Sequence, residues 1–192
     1  MQRKQERPGG RSARVRAAVL SAFLDALVES GYSQVSFETL ASRAGVHKTT
    51  LYRRWGTREN LLLDAALHSA AEAVPVPDTG VLHTDLHELV AAIAANLRSP
   101  PAEAMLRAVV SEAMARPTVA NAARRFWQAR FAGAREIVAR AIDRGEVAPT
   151  VDPDLVIEML IGPVYLRVLV TQEPVDDEFI RSLVGFVVRG TA

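Results

Sequence analysis

The chain contains no cysteine, which excludes disulfide bonds, thiolate metal ligands and thiol nucleophiles, and which suits a reducing cytoplasm. It also lacks a glycine-rich phosphate-binding loop and a Gly-x-Ser-x-Gly nucleophile elbow. Alternating apolar and polar runs between hairpin turns are missing too, so no β-sheet is predicted. These absences favour an all-α protein without catalytic machinery of these kinds, and no cofactor is expected.

Apolar runs long enough to cross a membrane are likewise missing. The most apolar segment, LVIEMLIGPVYLRVLV, is interrupted by Glu158, Pro163 and Arg167. Its roughly 16 residues fall short of the ~20 that a membrane helix needs. Nearer the N-terminus, AAVLSAFLDALV follows a basic stretch, as the core of a signal peptide would. Asp25 interrupts it and its apolar residues have helical spacing, so we expect a helix of a cytoplasmic protein with no membrane partner.

Charges of both signs are nearly equal in number but unevenly distributed. The 23 lysines and arginines face 22 acidic residues, which gives a formal net charge of +1. Up to Asn60 the chain has 11 basic and 5 acidic residues, and after Asn60 it has 12 basic and 17 acidic ones. A basic N-terminal third joined to an acidic remainder indicates that the first third binds a polyanion.

Proline and glycine divide the sequence into segments of helix length whose apolar residues repeat about every 3.6 positions. The breakers are Pro8-Gly9-Gly10, Gly31, PVPDTG (75–80), Pro100-Pro101, Pro117, GEVAPTVDP (145–153) and Pro174. They predict about nine helices.

The first part of the chain has the pattern of a helix-turn-helix. Ser36 is a suitable N-cap for a short helix that ends near Ala44, and Gly45 permits the tight turn that follows. A second short helix is expected over 47–55, and Thr57 caps the next helix. In proteins with this geometry the second helix of the pair enters the major groove of DNA.

The outer face of the helix 47–55 carries side chains suited to DNA. With Leu51 pointing into the core, a rotation of about 100° per residue directs Thr49 and Arg53 outward. Arginine binds guanine through two hydrogen bonds and threonine binds base edges, whereas hydroxyls and cations near helix ends bind phosphates. The predicted base contacts are Lys48, Thr49, Thr50 and Arg53, and the predicted phosphate contacts are Ser36, Tyr52, Arg54 and Arg58. A solvated basic face is the alternative.

The stretch SFETLASRAGVHKTTLYRRWGTRENLLLDAAL resembles the DNA-binding region of the TetR family of bacterial transcriptional regulators. The resemblance covers residues 12–67 and is carried by Leu40-Ala41, Gly45, Thr50-Leu51-Tyr52, Trp55 and Thr57-Arg58-Glu59. The final segment, from GEVAPTVDP to FVVRG, resembles the C-terminal region of an actinobacterial-type subgroup. Many relatives have an aromatic or histidine pair at the positions of Arg53-Arg54. Because of this difference the resemblance predicts DNA binding but does not predict the operator sequence.

The resemblance implies an all-α homodimer, usually a repressor, that a small ligand releases from a palindromic operator in the bacterial nucleoid. Residues 1–57 then form a basic tail and a helix-turn-helix domain, and residues 58–192 form a larger helical domain for ligand binding and dimerisation. The expected partners are double-stranded operator DNA, a second copy of the chain and a small-molecule effector. A helical enzyme or small-molecule-binding module without a DNA-binding role is the alternative.

A basic tail precedes the first helix. Its cations are Arg3, Lys4, Arg7, Arg11 and Arg14. Because Pro8-Gly9-Gly10 leaves this segment free to move, we expect it to be disordered without DNA and to lie along the DNA backbone or minor groove when bound.

Two C-terminal helices are candidates for a dimer interface. The segment 154–170 is apolar nearly all round, begins at the N-cap Asp152 and Pro153, and is expected to kink at Gly162-Pro163. With the helix 176–189 it would form a four-helix bundle with the same pair of a second copy. The predicted interface residues are Leu155, Met159, Leu166, Leu169, Phe179, Leu183 and Phe186. An ordinary buried core helix is the alternative.

A ligand chamber is expected among the central helices. The stretch ANAARRFWQARFAGAREIV contributes Phe126, Trp127, Arg130 and Phe131. Methionines and aromatics suit an apolar or aromatic compound, although they suit a packed core equally well. The predicted pocket residues are Met105, Met114, Trp127, Phe131 and Tyr165.

The histidine pair His83 and His87 has the i, i+4 spacing of a metal site on a helix. The zincin pattern needs a glutamate directly after the first histidine, and Thr84 occupies that position. We therefore expect exposed polar residues at the start of a helix and no metal site.

Overall fold

A computed structural model describes residues 10–191, except for the side chains of residues 11, 70–73, 118 and 122, and this range contains nine α-helices and no β-strand. The helices are α1 (Arg11–Ser30), α2 (Phe37–Arg43), α3 (Lys48–Trp55), α4 (Arg58–Ala73), α5 (Leu82–Leu97), α6 (Pro100–Ala115), α7 (Pro117–Asp143), α8 (Pro153–Leu166) and α9 (Asp177–Arg189). A 3-10 turn (Tyr32–Gln34) follows α1, and a π-helical turn (Arg167–Thr171) follows α8. The predicted all-α fold is confirmed. None of the described helices is both long and apolar enough to cross a membrane.

The helix starts predicted from capping residues are found in the structure. Ser36 Oγ accepts a hydrogen bond from the Thr39 backbone N–H at 3.1 Å, and Thr57 Oγ1 accepts one from the Asn60 N–H at 3.3 Å. The Asp152 side chain caps α8 in the same way, with Pro153 at the first helical position. Each cap satisfies a backbone donor that a helix leaves unpaired at its N-terminus.

Gly45 makes the turn between α2 and α3. Its φ of 63° lies in the left-handed region, which residues with a Cβ adopt only under strain. The Val46 N–H donates back to the Ala41 carbonyl at 3.0 Å and closes the turn. The predicted turn between the two helices is therefore present, and the glycine at position 45 allows it.

Two apolar cores lie along the chain and share the long helices. The first core joins α1–α4, with Phe23, Leu40, Leu51 and Leu61 fully buried, and extends to Met105 of α6. The second core joins α5–α9. Because α4 packs into the first core, the packing shows no break at residue 57, where we predict the boundary between the domains 1–57 and 58–192.

The segment predicted as one helix over 154–170 is divided in the structure. The α-helix ends at Leu166 and continues as the π-helical turn, which stops at Gln172 with a φ of 56°. Pro163 lies inside α8 and has no N–H to donate to the preceding turn. The predicted kink at Gly162-Pro163 stays a prediction, whereas the predicted helix end is corrected by four residues.

Candidate nucleic-acid interface and interior cavity

The inner face of α3 is fixed to the rest of the protein. Leu51 is fully buried and Trp55 is 6% exposed. The Trp55 indole Nε1–H donates to Asp64 Oδ2 at 2.9 Å, and Arg16 donates to both carboxylate oxygens of Asp64 at 3.1 and 2.8 Å. Asn60 Nδ2 donates to the Trp55 carbonyl at 2.8 Å. These bonds join α3 to α1 and α4, so the outer face of α3 has a defined orientation.

The Asp64 carboxylate is the negatively charged group that accepts the hydrogen bonds from Arg16 and Trp55. Burial by itself raises the pKa of Asp64, because it disfavours the charged form. Hydrogen bonds from Arg16 and Trp55 and the charges of Arg16 and Arg54 outweigh burial, so the pKa lies below its ordinary value. A folded-state pKa below the unfolded one stabilises the protein above the unfolded pKa, and this stabilisation is lost as the pH falls through the folded-state pKa.

We expect Asp64→Asn to lower the free energy of unfolding at neutral pH by about 1–2 kcal/mol, since the side chain loses hydrogen bonds that its charge strengthens in a partly screened site. The difference from wild type should shrink as the pH falls from about 4, the unfolded-state pKa, through the lower folded-state pKa, because wild type then loses the same charge. Urea unfolding at neutral pH and at the lowest acidic pH at which the protein stays folded measures it. Asp143→Asn, at an exposed position, is the matched control. An equal difference at both pH values would contradict this role of the charge.

The outer face of α3 presents the predicted DNA-contacting side chains. Lys48, Thr49, Tyr52 and Arg53 are exposed, and Thr50 is half-buried. Within residues 10–191, no ion pair or hydrogen bond holds the Arg53 guanidinium against the protein. The directions expected from the position of Leu51 therefore agree with the structure, and the base contacts themselves stay a prediction.

One flank of α3 brings together three of the predicted contact residues. Tyr52 is 49% exposed, and its ring packs edge-on against Phe37 with centroids 4.9 Å apart. Lys48 Nζ lies 5.4 Å from the Tyr52 ring centroid and pairs with Glu38. The Ser36 hydroxyl lies at the neighbouring helix start. Contacts with α2 therefore hold the side chains of Lys48 and Tyr52 in place in the absence of DNA.

The two remaining arginines have contacts within the protein that the helical pattern did not indicate. Arg54 Nη1 donates to Ser12 Oγ at 3.0 Å, beside the start of α1. Arg58 is half-buried, its guanidinium lies 5.3 Å from the Tyr32 ring centroid, and its Nη1 donates to the Val35 carbonyl at 2.6 Å. Arg58 thus ties the 3-10 turn to α4, and the phosphate contact expected of it stays a prediction.

An open groove of about 1100 Å³ separates α3 from the start of α1. Its basic residues are Arg14, Arg53 and Arg54, and none of the described residues lining it is acidic. His47 and Ser12 also line it, and neither was predicted as a contact residue because His47 precedes α3 and Ser12 lies far from it in sequence. The groove suits a phosphate backbone.

The basic tail falls mostly outside the described residues. Arg3, Lys4 and Arg7 lie there, so the predicted disorder of the tail is outside the range that the structure describes. We also grouped Arg11 and Arg14 with the tail, and here the structure corrects the prediction, because α1 begins at Arg11.

The central helices border a small, half-open, mostly apolar cavity of about 60 Å³. Met105, Trp127 and Tyr165 line it, as predicted, together with Phe126 and Arg130. Trp127 stands between two rings, with centroids 4.7 Å from Phe126 and 5.4 Å from Tyr165.

Two of the predicted pocket residues lie elsewhere. Met114 is 85% exposed, because it lies in the last turn of α6, beyond the part that faces the cavity. Phe131 lies on α7 one turn beyond Trp127 and lines a separate groove between α7 and α8. Neither side chain is a cavity wall, and the prediction is corrected for both.

An uncovered apolar face extends over α8 and α9. Leu155, Met159, Leu166 and Phe186 are 53, 46, 52 and 62% exposed. Leu155, Met159 and Phe186 border one shallow groove. The other three predicted interface residues, Leu169, Phe179 and Leu183, are partly buried against the second core, and Arg167 stacks on the Phe179 ring at 3.7 Å.

The prediction that both histidines of α5 are exposed is correct for one of them. His83 is exposed, whereas His87 is half-buried and its Nε2 lies 3.3 Å from Asp177 Oδ1 of α9. Among the side chains that the structure describes, no three potential metal ligands come together.

Comparison with known proteins accounts for both halves of the chain. Residues 19–65 match the sequence family described as "Bacterial regulatory proteins, tetR family", and residues 76–187 match "Tetracyclin repressor-like, C-terminal domain". The second match alone spans more than half of the chain. The chain belongs to the TetR family.

Similar proteins align with most of the chain. The HTH-type transcriptional regulator AqdR of Rhodococcus erythropolis is 37% identical over 158 residues, which are 82% of this chain and 76% of that protein. The HTH-type transcriptional regulator YdeS of Bacillus subtilis is 30% identical over 190 residues, which are 99% of this chain and 95% of that protein. The crystal structure of the TetR family transcription regulator SCO0332 matches with a TM-score of 0.78 and 34% identity, over 93% of this chain and 99% of that one.

Membership of the TetR family fixes the general function. The protein is a ligand-responsive, DNA-binding transcriptional regulator and not an enzyme, as the resemblance to this family implies. TetR-family regulators bind operator DNA and act as dimers.

Proposed function

We propose that the chain is a homodimeric repressor that binds a palindromic operator through α3 and leaves it when a small apolar molecule enters the central cavity. The observation that carries this proposal is the outer face of α3, where Thr49 and Arg53 are exposed while Leu51 and Trp55 hold the helix from inside. Its site of action is the bacterial nucleoid.

The DNA-binding roles divide by the position of each side chain. Arg53 and Thr49, at the centre of the face and supported by Thr50 and Lys48, read base edges in the major groove. Ser36, Tyr52 and Arg54 lie at its borders and contact phosphates, which fix the position of the protein on the duplex. Arg58 contacts a phosphate only in addition to its bonds to the 3-10 turn.

The uncovered face of α8 and α9 supports a homodimer. Leu155, Met159 and Phe186 lie close together and exposed, and burial of apolar side chains of this size stabilises an association by roughly 25 cal/mol per Å². A symmetric pair buries the same face of each chain. Such a dimer presents two copies of α3, which reach successive major grooves when they are about 34–36 Å apart.

The cavity borders α4, the helix that follows the DNA-binding helix α3, so a ligand in the cavity would act on α3 through α4. Ala66 and Ser69 of α4 line it, and Leu61 and Leu62 of the same helix are buried in the first core beside α3. At about 60 Å³ the cavity is smaller than the roughly 300–1,000 Å³ of ligand sites. A ligand therefore displaces its walls, and the protein leaves DNA because the ligand binds better to the displaced form.

Selection of DNA fragments by the purified protein, followed by footprinting, tests this proposal. We expect an inverted repeat with protection of two successive major grooves on one side of the duplex. Selected fragments without a repeat, or protection of a single groove, would contradict the dimeric arrangement.

We expect removal of residues 2–10 to weaken the salt dependence of operator binding. The slope of the logarithm of affinity against the logarithm of salt concentration should fall by about 0.9 for each phosphate that the shortened protein no longer neutralises. Replacing Arg3, Lys4 and Arg7 with glutamine keeps the length of the chain and separates charge from chain length. An unchanged slope in both variants would leave the tail without a role in binding.

A further inference from the structure

The cavity contains one strongly basic side chain. Its walls are apolar apart from Ser69, Asn96, Arg130 and Tyr165, and none of its described lining residues is acidic. Burial lowers the pKa of Arg130, and the neighbouring Tyr165 partly offsets this. The guanidinium nevertheless stays protonated, because its pKa starts far above neutral pH. The cavity wall therefore places a positive charge beside mostly apolar side chains.

Tyr165 supplies a second polar group to the cavity wall. Burial raises the pKa of its hydroxyl to about 12, so it stays neutral and able to donate a hydrogen bond at neutral pH. Its ring packs beside Trp127. Arg130 and Trp127 are neighbours on α7, so a cation, a hydroxyl and an aromatic surface come from two facing helices.

We propose that the effector is an apolar carboxylate, with its apolar part against Trp127 and its carboxylate on Arg130. This inference rests on the proposed effector site and names its ligand class. Arg130 has contacts within the protein, and a planar guanidinium has five N–H donors in a fork that matches a carboxylate, so one guanidinium can bind a ligand carboxylate and a protein group together. Asn96 and Tyr165 add neutral donors to the lining.

Desolvation and hydrogen bonding together favour an anion over a neutral ligand of the same shape. The guanidinium has already lost part of its water in the folded protein, so the remaining cost of desolvation falls on the ligand. Hydrogen bonds between charged groups are roughly twice as strong as those between neutral groups. An amide in place of the carboxylate keeps the apolar contacts and loses this attraction.

Calorimetric titration of the full chain with matched pairs tests the inference. The probes are 4-phenylbutyrate with 4-phenylbutanamide, and decanoate with decanamide. We expect at least one carboxylate to bind about tenfold tighter than its own amide. Equal affinities within both pairs, or no binding of any of the four compounds, would overturn the inference without any variant.

Variants of Arg130 assign the preference to this side chain. Arg130→Gln should abolish the preference for the carboxylate and Arg130→Lys should keep part of it, while Arg125→Gln, on an exposed position of α7, should keep all of it. Thermal unfolding of each variant checks that it is folded. If Arg130→Gln does not fold, the result for Arg130→Lys decides the assignment. A preference that both Arg130 variants retain in full would overturn the assignment.

Operator release is measured separately, by fluorescence anisotropy of labelled DNA. A carboxylate that binds through Arg130 but leaves the operator bound would contradict the proposed release and leave the ligand class standing. Release by the amides as effectively as by the carboxylates would support the release and overturn the ligand class.

Discussion

Phe186→Asp is expected to convert the protein into a monomer that binds its operator weakly. Phe186 is 62% exposed in the single chain, so the substitution leaves the fold of one chain intact. In a dimer through α8 and α9, however, it places two carboxylates in an apolar interface, and an uncompensated buried charge costs several kcal/mol. Sedimentation velocity and operator titration at the same protein concentration measure both effects.

Val81→Asp is the matched control for this substitution. Val81 is 51% exposed, directly precedes α5, and is not among the residues that border the groove of Leu155, Met159 and Phe186. The control should remain a dimer and bind the operator as wild type does. A Phe186→Asp variant that stays dimeric would show that the interface lies elsewhere on the molecule.

Arg53→Ala is expected to weaken binding to the selected operator by about 1–3 kcal/mol, the range for one base contact through two hydrogen bonds. Binding to random DNA should change much less, because only a phosphate-contacting cation contributes equally to all sequences. Competition titrations with operator and random duplexes at one salt concentration measure the two changes.

Arg98→Ala serves as the charge-matched control for Arg53→Ala. It removes one exposed positive charge at the end of α5, outside the groove between α1 and α3. We expect equal, small effects of this control on both duplexes. Equal weakening on operator and random DNA for Arg53→Ala would mean that Arg53 contacts the backbone rather than a base.

The DNA-binding region was predictable because its structure depends on neighbouring residues. The caps Ser36 and Thr57 each bind a backbone N–H three residues along the chain, and Gly45 makes its turn by its own φ. The outward direction of Arg53 follows from the inward direction of Leu51 on a short regular helix. Local sequence contains all of this information.

Contacts between distant parts of the chain were not predictable in the same way. Arg58 binds the Val35 carbonyl, 23 residues earlier, and the Asp64 network joins three helices. A helical pattern shows which residues share a face, but it does not show which partner that face meets.

The central cavity shows the same limit. Of the five residues that residue type indicated, Met105, Trp127 and Tyr165 line the cavity, whereas Met114 and Phe131 lie outside it. The cavity's position depends on how α4 to α8 cross, and crossing angles are not encoded in one helix. Arg130 was visible in the sequence as a neighbour of Trp127, and its place in the cavity follows only from the packing.

The proposed function requires two chains on one operator, each with its α3 helix in a major groove. Sedimentation velocity of the protein mixed with a duplex of the selected inverted repeat counts the chains on the DNA. We expect a complex that contains two 20.9 kDa chains for each duplex, and a protein dimer at low micromolar concentration without DNA. A single 20.9 kDa chain bound tightly to the inverted repeat would contradict the proposal.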